Sequence, residues 1–238
     1  MIMAGGASLL IAFFVWKTIF SVRDTVGDFT FSTMITYFAV IFSIKILVGS
    51  AGIARTMMDD MRKGSLAFLL IKPVNYNLFQ FAKTITEKLL QTIAPLIALG
   101  ILVTNFSDTF LPPQNLTFVI IAFVQSIIVA HVLYSIIGAA SFWTVQGWGI
   151  IAVAGRFMDT VNGMVFPLDL LPEKIFNVIT YLPFQYMGYL PAAIYTGRIA
   201  SVDIVRHLII QFLWIIILTL TYRWIWNKGI KKFDSVGQ

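Results

Sequence analysis

The chain has 238 residues, 58% of them hydrophobic and 12% charged, with a mean hydropathy of +0.86 and a formal charge of +6. About a quarter of an ordinary soluble domain is charged, so half that value excludes a soluble core, and the positive charge reads as basic flanks of membrane segments, not as a nucleic-acid surface. The absence of cysteine excludes disulfides, thiolate metal sites and thiol catalysis.

The first apolar stretch, Ile2 to Phe20, lacks a basic leader and a small-residue cleavage pattern, so it reads as a retained first span. A second follows at Thr30 to Ile53. Roughly 20 apolar residues cross a ~30 Å hydrocarbon layer, and a helix satisfies its own backbone hydrogen bonds there.

The next segment, "RTMMDDMRKGSLAFLLIKP" from Arg55 to Pro73, concentrates charge and then turns apolar for too few residues to span. On a helix, Arg55 and Asp59 stand four apart, as do Asp59 and Lys63, and Asp59 reaches Arg62 at three, which predicts a charged ladder. Gly64 permits a break, and "LAFLLI" continues until Pro73 forces its predecessor out of helical geometry. Asn77 and Gln80 have the spacing of an N-cap and its reciprocal partner for a third span. The segment reads as a short helix–break–helix element with an apolar docking face. The plainer alternative is a solvated loop whose charges only enforce topology.

The third span runs from about Leu78 to Thr104 and ends in "NFSDTFLPPQN", a loop with no base. The fourth, Leu116 to Ala140, carries His131 and Tyr134, which read as packing residues rather than ligands. The tight turn "GAASFWTVQGWG" separates it from a fifth, Thr144 to Phe166, with Arg156 and Asp159 three apart. An unpaired charge at the bilayer centre costs at least about 2.5–3.5 kcal/mol, so the two are expected to pair. They read as a structural pair, as a bond to another helix or a second subunit, or as a polar pathway lining. Between Phe166 and the sixth span, His207 to Trp226, the chain is apolar and aromatic, and Pro172, Pro183 and Pro191 are expected to divide it into short helices dipping back into the membrane. Within that segment Phe184, Tyr186 and Tyr189 read equally as interfacial anchors or as the outer gate of a pathway.

Basic residues cluster between spans two and three and after span six (Lys228, Lys231, Lys232), which places both clusters and both termini on the cytoplasmic side. The sequence therefore predicts an all-α integral membrane protein with six transmembrane helices in a single domain over residues 1–238. The tail bases also suggest attraction to anionic membrane lipid.

The run "IARTMMDDMRKGSLAFLLIKPVNYNLFQFA" resembles the cytoplasmic loop of bacterial ABC-2-type ABC transporter permeases, and "FVWKTIF", "MITYF", "SFWT", "GMVFPLDLLPEKI", "YLPFQYMGYLPAAIYTGR" and "NKGIKKFDSVGQ" match in order along nearly the whole chain. The resemblance implies a coupling helix between spans two and three and two short re-entrant external helices between spans five and six. It implies a subunit of an ATP-driven exporter in the bacterial cytoplasmic (inner) membrane, with a pathway formed at the interface with a second permease copy or a related permease. No P-loop occurs, and no catalytic or metal-binding constellation is apparent. This implies a separate ABC ATPase dimer that binds ATP and Mg2+, with no cofactor in this chain and a hydrophobic or amphipathic exported substrate. Arg55, Asp59, Arg62, Lys63, Gly64, Leu66, Leu70 and Pro73 would form the ATPase-coupling element; Arg156, Asp159, Phe184 and Tyr186 would line the pathway or the permease interface. Family members usually begin with an amphipathic helix before span one, whereas this chain starts almost inside it, so that contact lies upstream or is reduced. The alternative is an ion-coupled secondary transporter, which needs intramembrane coupling residues on broken helices within an inverted repeat; no repeat is seen.

Overall fold

A computed structural model describes residues 2–48, 51–105, 107–144 and 147–233. Among them the chain forms ten α-helices joined by short 3-10 turns, with no strand beyond an isolated Val26–Phe29 bridge. The helices are α1 (Ile2–Phe20), α2 (Phe31–Val48), α3 (Gly52–Arg62), α4 (Ser65–Ile71), α5 (Tyr76–Asn105), α6 (Leu116–Ala139), α7 (Trp148–Val161), α8 (Glu173–Ile179), α9 (Tyr189–Tyr195) and α10 (Ser201–Gly229). The stretches containing α2, α6 and α10 are long and apolar enough to cross a membrane by length and composition.

Helix α6 is the hub, with α10, α3, α9 and α2 all packed against it. Ala122, Ser126 and Ala130 recur at steps of four along one face and are fully buried. Such small side chains let neighbouring backbones approach closely where helices associate in lipid. The 3-10 turn Pro183–Met187 and helix α9 dock on this seam, with Tyr186, Leu190 and Ile194 packed around Ala122. Gln211 of α10 pins the seam: its side-chain amide donates to the carbonyls of Ala122 and Tyr186, both at 3.1 Å, and Ser126 Oγ donates to Tyr186 O at 2.6 Å.

In the segment between α7 and α10, Tyr186 is 1% exposed and Ala192 to Ile194 are fully buried, whereas Ile175, Val178 and Tyr181 are exposed. Three expectations are corrected. Pro191 does not break a helix but occupies the third position of α9, in the first turn, where the missing N–H has no intrahelical partner to lose. The cap of α5 is Asn75, whose Oδ1 accepts from the backbone N–H of Asn77 (3.0 Å) and Leu78 (3.2 Å). Asn77 and Gln80 turn their side chains to tertiary partners instead. Neither the Arg55–Asp59–Lys63 ladder nor Arg156–Asp159 closes into an ion pair; both salt bridges among the described residues belong to Arg198. Exposed ladder pairs contribute only ~0.5 kcal/mol, less than the packing that decides where these side chains lie.

The fifth apolar stretch is also shorter in helical form than its composition. Helix α7 has 14 residues, about 21 Å at 1.5 Å per residue. Its two ends meet different neighbours: Ile151 packs with Ala54 and Met58 of α3, and Phe157 meets Phe184 edge to face at 5.7 Å.

Candidate functional site

Helix α3 is amphipathic. Ile53, Ala54, Met57 and Met58 fall on one buried face, while Arg55 and Arg62 are exposed. That face sits on α6 at Gly138, where an added Cβ would lie 2.9 Å from Met57 Sδ and 3.0 Å from Ala54 Cα. The close approach requires glycine. The chain then reverses at Gly64, whose φ of +72° is a left-handed conformation that ordinary side chains disfavour. Helix α4 starts there and ends at Ile71, and Lys72 adopts the extended geometry imposed by Pro73.

The residues of α4 divide sharply. Leu66 is fully buried, whereas Phe68 is 74% and Ile71 81% exposed, with Leu70 at the margin. Of the apolar run, Leu66 thus anchors the element to its own chain, and Phe68 and Ile71 present an uncovered apolar surface. Both were absent from the residues singled out by the sequence. Arg62, Lys63, Lys72 and Pro73 are exposed around that surface, and Asp59 is half-buried.

Asp60, not Asp59, holds the element in place. Its Oδ1 accepts from Ser65 Oγ at 2.9 Å, and its Oδ2 accepts from Tyr76 OH at 2.7 Å and Gln80 Nε2 at 2.8 Å. One carboxylate therefore joins the end of α3 to the start of α4 and the first turns of α5. Burial, then the bond to Asp60 and its charge, push the Tyr76 phenol above its ordinary value, so it stays a donor. The same ring stacks on Trp226 of α10 at 5.0 Å between centroids. One residue on, Asn77 donates to Ser135 of α6 at 3.0 Å, and its carbonyl oxygen lies 3.3 Å from His131 Nε2. His131 is held between these groups and the edge of Phe81, as a packing histidine would be. Nothing in local spacing signals Asp60, because its partners stand 5, 16 and 20 residues away.

Basic and aromatic groups gather at this end of the molecule. The Arg55 guanidinium lies 5.3 Å from the Trp148 ring centre, Lys228 Nζ 3.9 Å from that of Trp224, and Lys232 Nζ 6.0 Å from that of Trp143. At the opposite end Arg198 forms an ion pair with Asp169 at 2.9 Å, a longer one with the exposed Asp28 at 3.9 Å, and sits 3.8 Å over the Phe29 ring. Tyr189 OH donates to the second Asp169 oxygen at 2.6 Å; burial and then the neighbouring Asp169 raise this phenol also. The cluster fastens the α1–α2 loop to the segment that precedes α10.

The four residues expected at a pathway or interface do not share one surface. Tyr186 is in the core, Phe184 is half-buried against Phe157, and Asp159 is half-buried; Arg156 is exposed. Among the described residues no three His, Cys, Asp or Glu side chains gather as a metal site.

The family model described as "ABC-2 family transporter protein" matches residues 7–237. Neither a curated protein nor a solved structure matches the chain.

Proposed function

The chain belongs to the ABC-2 family of transporter membrane proteins, and from that membership we propose that it is the permease subunit of an ATP-driven exporter, coupled to a separate ATPase through α3, Gly64 and α4. As a member of that family it is a multi-pass membrane permease and not itself the catalyst. The finer reading adds six spans, a cytoplasmic coupling element, re-entrant external helices, cytoplasmic termini and a pathway at an interface between two permeases. ATP and Mg2+ belong to the partner ATPase dimer, and the cargo is a hydrophobic or amphipathic molecule.

The observation that carries this reading is the construction of the α3–α4 element. It exposes Phe68 and Ile71 beside Arg62 and Lys63, while Leu66 and the Asp60 bonds tie it to α5, and Met57 seats it on α6. An apolar patch ringed by cations suits docking to a protein groove. A push on α4 then reaches the bundle through short hydrogen bonds instead of dissipating in a loose loop. ATP-driven closure of the ATPase pair would tilt α5, α6 and α10 through these ties and alternate the access of the pathway.

The test is expression with neighbouring genes followed by purification. A P-loop ATPase is expected to co-purify with the wild-type chain and to be lost when Phe68 and Ile71 are both changed to Ser. Charge reversal at Arg62 and Lys63 should leave insertion intact and separate ATP hydrolysis from transport. A chain that purifies without an ATPase and moves cargo on a proton or sodium gradient would sink the proposal.

A further inference from the structure

The turn that closes α9 is a rigid mount. Gly197 has a φ of +71°, and the backbone N–H groups of Gly197 and Arg198 donate to the carbonyls of Ile194 at 3.2 Å and Ala193 at 2.9 Å. That pair of bonds around a left-handed glycine is a tight helix stop. Ala193 and Ile194 are fully buried, so the Arg198 backbone is fixed to the core.

Two neighbouring connections are held from this mount. Toward the α1–α2 loop, the Arg198 guanidinium donates to Asp28 O at 3.4 Å, lies 3.9 Å from the Asp28 carboxylate and covers the Phe29 ring at 3.8 Å. Toward the α5–α6 loop, the Tyr195 carbonyl accepts from the Gln114 N–H at 3.1 Å. The Gln114 side chain lies so close over Gly197 that an added Cβ would come within 2.7 Å of it. The Leu111 N–H of the same loop donates to Thr36 Oγ1 of α2 at 2.9 Å. The connections at one end of α1, α2, α5 and α6 therefore meet at four residues, Tyr195 to Arg198.

The holds are unequal. The 2.9 Å pair with Asp169 is largely shielded, and Asp169 is itself held by the Tyr189 hydroxyl, so this half belongs to the mount. The Asp28 side chain is 95% exposed, and solvent-facing pairs of this kind are weak and screened by salt. Beneath the guanidinium Phe29 is fully buried, with its ring set against Tyr37. Arg198 is thus firmly bound on one side and weakly on the other, where it lies over an apolar side chain that anchors the loop.

We propose that Arg198 is a releasable clasp. Its contacts with Asp28 and Phe29 hold the α1–α2 loop on the α9–α10 turn, and their release opens the first turns of α2, where Met34 is fully buried. The use of such an opening, parting the outer end of the bundle during transport, rests on the permease reading. The clasp itself needs no ATPase.

The test uses the full chain, which contains no cysteine, in phosphatidylcholine nanodiscs. Met34→Cys reports on the clasp, and Leu66→Cys, fully buried at the far end, serves as control; the rate of labelling by a charged, water-soluble maleimide is measured. Arg198→Gln should speed labelling at Met34→Cys about tenfold, the scale of one lost charge-assisted hydrogen bond. Arg198→Lys should fall between, and labelling at Leu66→Cys should not change. Salt at about 1 M, where the screening length is ~3 Å, should speed labelling in the parent and add nothing in Arg198→Gln, a response that a purely steric tie lacks. Equal rates with and without Arg198 would overturn the proposal. So would equal acceleration at Leu66→Cys, which means general loosening. With a co-purified ATPase, ATP should bring the parent to the rate of Arg198→Gln. If ATP changes nothing while Arg198→Gln still labels faster, the clasp is supported and the ATP-driven reading alone is lost.

Discussion

Asp60 draws three donors from two neighbouring elements onto a single carboxylate, and orphaning a buried donor costs about 1–3 kcal/mol. Asp60→Ala should therefore shorten the thermal half-life of the detergent-purified permease by far more than Asp59→Ala. Asp60→Asn should fall between them, since an amide oxygen still accepts; equal half-lives for the three variants would refute the node. Tyr76→Phe removes two bonds, the one it donates to Asp60 and the one it accepts from Gln80, and should cost about 1–3 kcal/mol. The raised phenol of Tyr76 also has a pH consequence. A folded value above the unfolded ~10 means that its contribution is complete below that pH and is lost only as pH rises through the folded value. Absorbance titration should show Tyr76 protonated throughout roughly pH 6–9, so a loss of stability in that window would have another origin. At the other end, Arg198→Gln loses a charge-assisted bond to Asp169 and should cost about 2 kcal/mol, read as earlier unfolding. In the sequence Asp59 stood out because its partners were four residues away on the same helix. Asp60 became important through Tyr76 and Gln80, which only folding brings near.

Two glycines shape the coupling element for different reasons. A Cβ at Gly64 would meet no atom, so Gly64→Ala carries only the left-handed backbone penalty of about 1–2 kcal/mol. Gly64→Pro demands a φ near −65° where the turn has +72°, and should misplace α4. The expected outcome is normal membrane insertion with ATPase activity no longer stimulated by cargo. At Gly138 the backbone is ordinary and the space is absent, so Gly138→Leu should lift α3 from α6 and raise protease sensitivity between Arg55 and Lys72. The break at Gly64 and the stop before Pro73 were readable because both are local backbone effects. The split of "LAFLLI" into a buried Leu66 and an exposed Phe68 and Ile71 was not, because six consecutive apolar residues give no hint of which face meets the bundle. Likewise Pro191 looked like a breaker until α9 proved to begin only two residues before it.

The absence of cysteine allows the whole topology to be mapped with single introduced thiols. Cysteines at Lys63 and Lys231 should react with an impermeant maleimide only in inverted vesicles, and cysteines at Asp108 and Glu173 only in intact cells. Labelling of Lys63 and Asp108 variants from the same side would refute the proposed orientation. By itself, the sequence determined that the chain is helical and membrane-bound, where most helices begin and end, and that the bases gather between α2 and α5 and beyond α10. Hydrophobic length, proline, glycine and charge act along a few turns of chain, and the bilayer reads them directly. Only the tertiary structure decided that Asp60 is the tie and that Tyr186 and α9 pack on the Ala122–Ser126–Ala130 seam. Those outcomes depend on which faces meet. Gln211 of α10 reaches Ala122 and Tyr186, residues distant in sequence, and an apolar helix carries too little pattern to say which of its faces will be turned to them.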